Sequence, residues 1–166
     1  MTTLAKLRAK ELGAACAELG VTEHWYLGGP GRWRDSGPRG CDDPRAFASA
    51  ELDETTDELA ALVRKVQPQV MVTYDANGFY GHPDHVQAHR VAWHLYQQAC
   101  NPLRTKFYAL TMPRPVLAVD SPFFEPAGLP RMRVLGTEYY TLLAHPSAVT
   151  TGSRGQEREN DLFSGM

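Results

Sequence analysis

What the sequence lacks narrows it first. Only three cysteines are present, Cys16, Cys41 and Cys100, with no Cys-x-x-Cys pair and no small disulfide framework. They read as reduced thiols of a cytoplasmic protein. No apolar run reaches the roughly eighteen residues of a membrane span. The opening Met-Thr-Thr-Leu-Ala-Lys-Leu-Arg-Ala-Lys has no apolar signal-peptide core. Charge is nearly balanced, with a formal net charge of −2 and a pI near 6.3. That argues against a nucleic-acid or membrane-surface partner held by electrostatics, and favours a small ligand. Internal repeats are absent. At 166 residues and 43% hydrophobic, the chain has material for one globular core.

Periodicity supplies the elements. Leu4 to Leu19 predicts an amphipathic helix, rich in Ala, Leu, Lys, Arg and Glu and stopped by Gly20. His24 to Leu27 predicts a short strand that Gly28, Gly29, Pro30 and Gly31 break, so Gly31 to Gly37 forms a polar loop at its end. Cys41 to Ser49 is irregular or a short helix. From Asp53 a helix is predicted: its acids come first, Leu59, Leu62, Val63 and Val66 follow, and Arg64 and Lys65 close it, which complements the macrodipole. Val70 to Tyr74 reads as a strand buried on both faces. Pro83 then opens a helix to about Gln98, and Lys106 to Leu110 is a third strand. This alternation predicts an α/β fold, a Rossmann-like parallel sheet of βαβ units. Prolines from Pro113 to Pro130 make the C-terminal part irregular, Glu138 to Ala144 is a short helix or strand, and the polar composition beyond Pro146 suggests a flexible tail. The expected division is one domain over 1–145 and a tail over 146–166.

Chemistry concentrates at Asn77 to His89, where His82, Asp84, His85 and His89 follow a buried strand directly. Imidazoles bind transition metals and titrate near neutrality, and a nearby carboxylate can fix a ring's tautomer. With Pro83 in the first turn, His82 and His85 face one crevice where the helix N-terminus favours an oxyanion. The competing view is a plain Gly-His-Pro-Asp helix cap. His89 and His94 have weaker context, and a packed or solvated role suits them better.

Two stretches, Tyr-Asp-Ala-Asn-Gly-Phe-Tyr-Gly-His-Pro-Asp-His from Tyr74 and Tyr-Leu-Gly-Gly-Pro-Gly-Arg-Trp-Arg-Asp-Ser-Gly from Tyr26, resemble the zinc-dependent GlcNAc deacetylases of the LmbE-like (PIG-L) superfamily. The similarity is strongest to its mycothiol-pathway branch. That resemblance implies zinc-dependent hydrolysis of the N-acetyl group of N-acetylglucosaminyl-inositol. It also implies His85 as a zinc ligand, His82 as the oxyanion-stabilising or proton-donating residue, Asp84 as the carboxylate orienting it, and Tyr80 as a mobile tyrosine polarising the carbonyl. Asp35 would accept a sugar hydroxyl, and Arg8 would bind the inositol side.

One family feature is absent from the sequence. The Ala-His-Pro-Asp-Asp-Glu motif, which carries the remaining zinc ligands and the general base, has no counterpart, because His145-Pro146 continues as Ser147-Ala148. The expected fold therefore lacks the family's first strand and exposes an apolar flank, and the expected zinc site has a single ligand. Little or no activity follows for a truncated chain of this kind. A complementing N-terminal segment or a homo-oligomer would be the macromolecular partner. Two other expectations stand beside this one: a non-catalytic sugar-binding remnant, and a hydrolase like mycothiol S-conjugate amidase.

Overall fold

The computed structural model describes residues 3–99, 105–111 and 139–144. Helix α1 spans Thr3–Glu18, a 3-10 turn Phe47–Ser49, α2 Leu52–Val66, β1 Val70–Tyr74, α3 Gly78–Gly81, α4 Pro83–Ala99, β2 Lys106–Thr111 and β3 Tyr139–Ala144. Three strands pair in the order β1-β2-β3, the first pair parallel and the second antiparallel. The α/β class holds, with β1, α4 and β2 forming the βαβ unit.

Local chemistry sets the boundaries. In α2, Asp53 and Glu54 occupy the first turn and Arg64 and Lys65 the last, each opposite the end of the dipole it stabilises. Gln67 leaves the helix in the left-handed conformation and donates its N–H to the Val63 carbonyl, because Pro68 cannot continue the helix. Thr105 Oγ1 donates to the Pro68 carbonyl at 2.8 Å and the Lys106 N–H to the Gln69 carbonyl at 2.9 Å, so β2 is fixed where β1 begins.

The core lies between α4 and the sheet. Val91, Ala92, Leu95 and Tyr96 are buried on α4 and Phe107, Tyr108 and Ala109 on β2; Ala92, Tyr96 and Phe107 form one cluster, against which Leu59, Met71, Trp93 and Ala144 pack. Trp93 lies parallel to Tyr96 at 5.9 Å and edge-on to Phe107 at 5.4 Å. The Tyr96 hydroxyl donates to the Thr105 carbonyl at 3.0 Å. One turn before Val91 on α4, buried Gln87 donates to the Ala50 carbonyl at 2.8 Å, tying the helix to the residue after the 3-10 turn.

Several expectations change. His24 to Leu27 forms no strand: the segment is irregular, and Lys65 Nζ sits 5.0 Å over the Trp25 ring instead. A strand needs a ladder partner, and none of the described strands pairs with it. β1 is not buried on both faces, since Val72 is 47% exposed. On α1 the apolar residues Leu4, Leu7 and Leu12 are exposed, as is Leu19 just beyond it. Within the Glu138 to Ala144 stretch, Tyr139–Ala144 forms the strand β3, antiparallel to β2. The proline-rich stretch from Pro113 to Pro130 and the 146–166 segment lie outside the described residues, as does Cys100, while Cys16 and Cys41 are free thiols. Among the described residues no helix is long and apolar enough to cross a membrane.

Candidate functional site

The site begins where β1 ends. Asp75 Oδ1 accepts the Phe79 N–H at 2.7 Å and the Asp75 carbonyl accepts the Gly78 N–H at 2.9 Å, closing a tight turn. Phe79 is held at φ 65°, a strained conformation for a bulky residue, and the turn throws Tyr80 outward, 39% exposed. Gly78 is required at φ +66°: an added Cβ would lie 2.8 Å from the Val86 nitrogen and 3.1 Å from His85 Cβ. This close approach lets the turn pack onto the first turn of α4.

His82 precedes that helix and is buried. The Asp84 N–H donates to His82 Nδ1 at 3.2 Å, so the ring proton resides on Nε2, which lies 3.7 Å from Asp35 Oδ1. The imidazole thus presents a donor toward the Asp35 side.

Asp84 serves a different contact from the one its position suggests. One carboxylate oxygen accepts the Ser36 N–H at 2.9 Å; the other accepts the Ser36 hydroxyl and the Ala48 N–H, the latter at 3.0 Å. It anchors the glycine-rich loop to α4, and its link to His82 runs through the backbone. The same loop is closed by the pair Arg34↔Ala46 and by an Arg34 to Asp43 ion pair of 2.7 Å. Hydrogen bonds from Arg34 and from the Arg45 backbone hold the Asp43 carboxyl down at about 2. Arg32 pairs with Glu54 and lies 4.1 Å over the Trp33 ring, docking the loop's other side on α2.

His85 sits one turn deeper. Its Nδ1 donates to the Gly78 carbonyl at 3.3 Å, leaving Nε2 unprotonated. Its ring stacks on Tyr74 with centroids 3.7 Å apart and planes 3° from parallel, and lies 4.7 Å from His82 and 5.2 Å from Tyr80. Burial pushes its pKa below the usual histidine value, favouring the neutral ring, and burial also raises the Tyr74 hydroxyl.

The structure therefore brings together Asp35, Tyr80, His82, Asp84 and His85. Arg8 is elsewhere in character, paired with Glu11 at 2.6 Å on exposed α1. His89 donates Nδ1–H to the Tyr74 carbonyl at 2.8 Å and lines, with Asp75, Trp93, Thr111 and Thr141, a separate cavity of about 440 Å³. Ser36, Tyr74 and Gly78 join the site although sequence reasoning gave them no role. The Asp35-Ser36-Gly37 and Asn77-Gly78 runs are the local turn signals that could have pointed to Ser36 and Gly78.

Asp35, His82 and Asp84 have donor atoms within 4.8 Å of one another, a grouping able to hold a metal ion. Its carboxylates differ sharply, since Asp84 is saturated by the loop while Asp35 is exposed. His85, with Nδ1 tied to a carbonyl and Nε2 unprotonated, has the chemistry of a metal ligand. Catalytic zinc takes three protein ligands and an open position. The described residues around His85 do not complete that set.

Fold and site together define an α/β protein whose polar chemistry is mounted just past the carboxyl end of a parallel strand. A family model described as PIG-L, GlcNAc-PI de-N-acetylase, matches residues 1–96, and the chain belongs to that family. It is similar to proteins named 1D-myo-inositol 2-acetamido-2-deoxy-alpha-D-glucopyranoside deacetylase. One from Thermobispora bispora is 44% identical over 160 residues, covering 90% of this chain and 53% of the relative. One from Salinispora arenicola is 56% identical over 115 residues, 66% of this chain and 37% of the relative. One from Acidothermus cellulolyticus is 36% identical over 223 residues, 96% and 74%. The chain spans about half the length, or less, of the first two.

Proposed function

We propose that this protein acts on the acetamido group of an N-acetylated amino sugar joined to inositol, releasing acetate. The observation that carries the reading is His82: a buried imidazole with Nε2–H fixed by the Asp84 amide, facing Asp35 across 3.7 Å. In this reading Asp35 accepts a sugar hydroxyl and orients the ring. His82 then donates from Nε2 to the developing oxyanion or the departing amine. Tyr80, exposed and edge-on to both imidazoles, closes the mouth and donates to the acetyl oxygen. Asp84 keeps the Asp35 loop in register through Ser36. Arg8 meets the inositol side, outside the cluster.

Zinc in the family reading would sit at His85. Its chemistry when bound is to polarise a carbonyl and to lower the pKa of water to about 7. Because the described residues around His85 stop short of three ligands, turnover through zinc at His85 depends on donors beyond them. The expected cellular setting is the cytoplasm, with no nucleic acid or membrane involved, and the division into a 1–145 domain and a 146–166 tail belongs to the same proposal.

Acetate release from N-acetylglucosaminyl-inositol, measured with zinc supplied for wild type and His82→Ala, tests the catalytic reading. A loss of about 10²- to 10⁴-fold in the variant is expected. Equal rates for the two would overturn it. The incomplete ligand set favours a second reading, a sugar-binding protein without turnover. It predicts saturable binding that Asp35→Ala abolishes, with negligible zinc and no acetate.

A further inference from the structure

The sequence motif contains one histidine that the proposed chemistry does not use. His89 lies one turn beyond His85 on α4, yet its Nδ1–H is committed to the carbonyl of Tyr74 at 2.8 Å. The ring of that same Tyr74 covers His85, 3.7 Å away and within 3° of parallel. Two successive histidines of one helix thus grip opposite ends of one residue, its carbonyl and its ring.

The geometry points to Tyr74 and His89 as positioning residues for His85: His89 pins the last residue of β1, and Tyr74 holds the His85 imidazole in a single plane. The need for such a clamp follows from the weakness of the other restraint. The His85 Nδ1 to Gly78 carbonyl contact is long at 3.3 Å, and Gly78 belongs to a turn containing the strained Phe79. A long hydrogen bond onto a strained turn does not by itself fix a ring that can rotate about χ2. A parallel aromatic face at 3.7 Å, together with His82 at 4.7 Å, leaves that rotation little room. Held in that plane, the ring keeps Nδ1 within reach of the Gly78 carbonyl, the contact that makes Nδ1 the donor and leaves Nε2 the free lone pair. The Gly78 carbonyl is the outer partner that orients His85 as a ligand, and loss of such a partner weakens metal binding about 10- to 100-fold, so the clamp acts by keeping that contact.

The consequence for function rests on the proposed role of His85 as a ligand, whereas the clamp itself does not. The test is therefore made on metal-free full chain by imidazole ¹⁵N NMR, with zinc added afterwards. Wild type, Tyr74→Phe and His89→Asn, which keep the flat ring and a donor near the Nδ1 position, should show His85 in one tautomer with Nε2 unprotonated. Tyr74→Leu and His89→Leu should show averaged tautomers at His85 while far-UV circular dichroism stays native. Tyr74→Leu with an unchanged His85 tautomer would overturn the clamp. Should Tyr74→Leu fail to fold, the His89→Asn and His89→Leu pair decides alone: equal His85 spectra in the two would overturn it. On zinc titration, His85 Nε2 should shift in wild type and do so about 10- to 100-fold more weakly in Tyr74→Leu. Absence of any wild-type shift would contradict the ligand role of His85, leaving the tautomer result to judge the clamp.

Discussion

Asp84 offers the sharpest quantitative consequence of the structure. Its two oxygens take the Ser36 N–H, the Ser36 hydroxyl and the Ala48 N–H, and Ser36 is 2% exposed. Hydrogen bonds to a charged acceptor contribute about 1.5–3 kcal/mol each. The Ala48 N–H is shared with Ser36 Oγ at 3.1 Å, so it retains a partner when the carboxylate goes. Asp84→Ala should then cost about 3–5 kcal/mol, below the sum of three contacts because the loop relaxes toward water. Asp84→Asn, which keeps one acceptor but turns an amide donor toward the loop, should cost about 2 kcal/mol. Against a typical stability of about 5–15 kcal/mol either loss is visible in urea unfolding. Native-state hydrogen exchange should localise it, with faster exchange at Ser36 and Ala48. Unchanged exchange at those two amides in Asp84→Asn would refute the reasoning and return Asp84 to the role of a carboxylate that acts on His82.

Further outcomes follow from individual contacts. Gly78→Ala should cost about 2–4 kcal/mol in thermal or urea unfolding, because it adds a Cβ at φ +66° against the Val86 nitrogen at 2.8 Å. Leu95→Ala, at a side chain 1% exposed, should cost about 2–5 kcal/mol, read as a lower urea midpoint with unchanged m. The depressed Asp43 carboxyl stabilises the folded loop at pH values above its unfolded value of 3.8, and that contribution is lost as pH falls through about 2; Arg34→Gln should reduce this acid sensitivity in an NMR titration, the Arg45 contacts remaining. Arg8→Gln should leave the melting temperature unchanged, since its pair with Glu11 is exposed, while raising KM or Kd if Arg8 meets the inositol.

Elements defined by local pattern were legible. The acidic start and basic end of α2, Pro83 opening α4 and the β-branched run of β1 all encode their boundaries in neighbouring residues. His24 to Leu27 misled because Trp25 and Tyr26 carry strand propensity, while a strand exists only with a partner. The gathering of Tyr80, His82, Asp84 and His85 was legible because one turn and one helix hold them. The 48-residue reach from Asp84 to Ser36 was not. No periodicity announces which loop a carboxylate will anchor, and the stack of Tyr74 on His85 depends equally on how β1 meets α4.

The claim that Asp35 and His82 form an amino-sugar site is tested most directly by titrating the protein with N-acetylglucosaminyl-inositol and following the His82 imidazole by NMR. Saturable binding that shifts His82, and that Asp35→Ala weakens at least tenfold while leaving the fold intact, is the predicted result. Binding indifferent to Asp35→Ala, or a His82 signal unmoved at saturation, would contradict it.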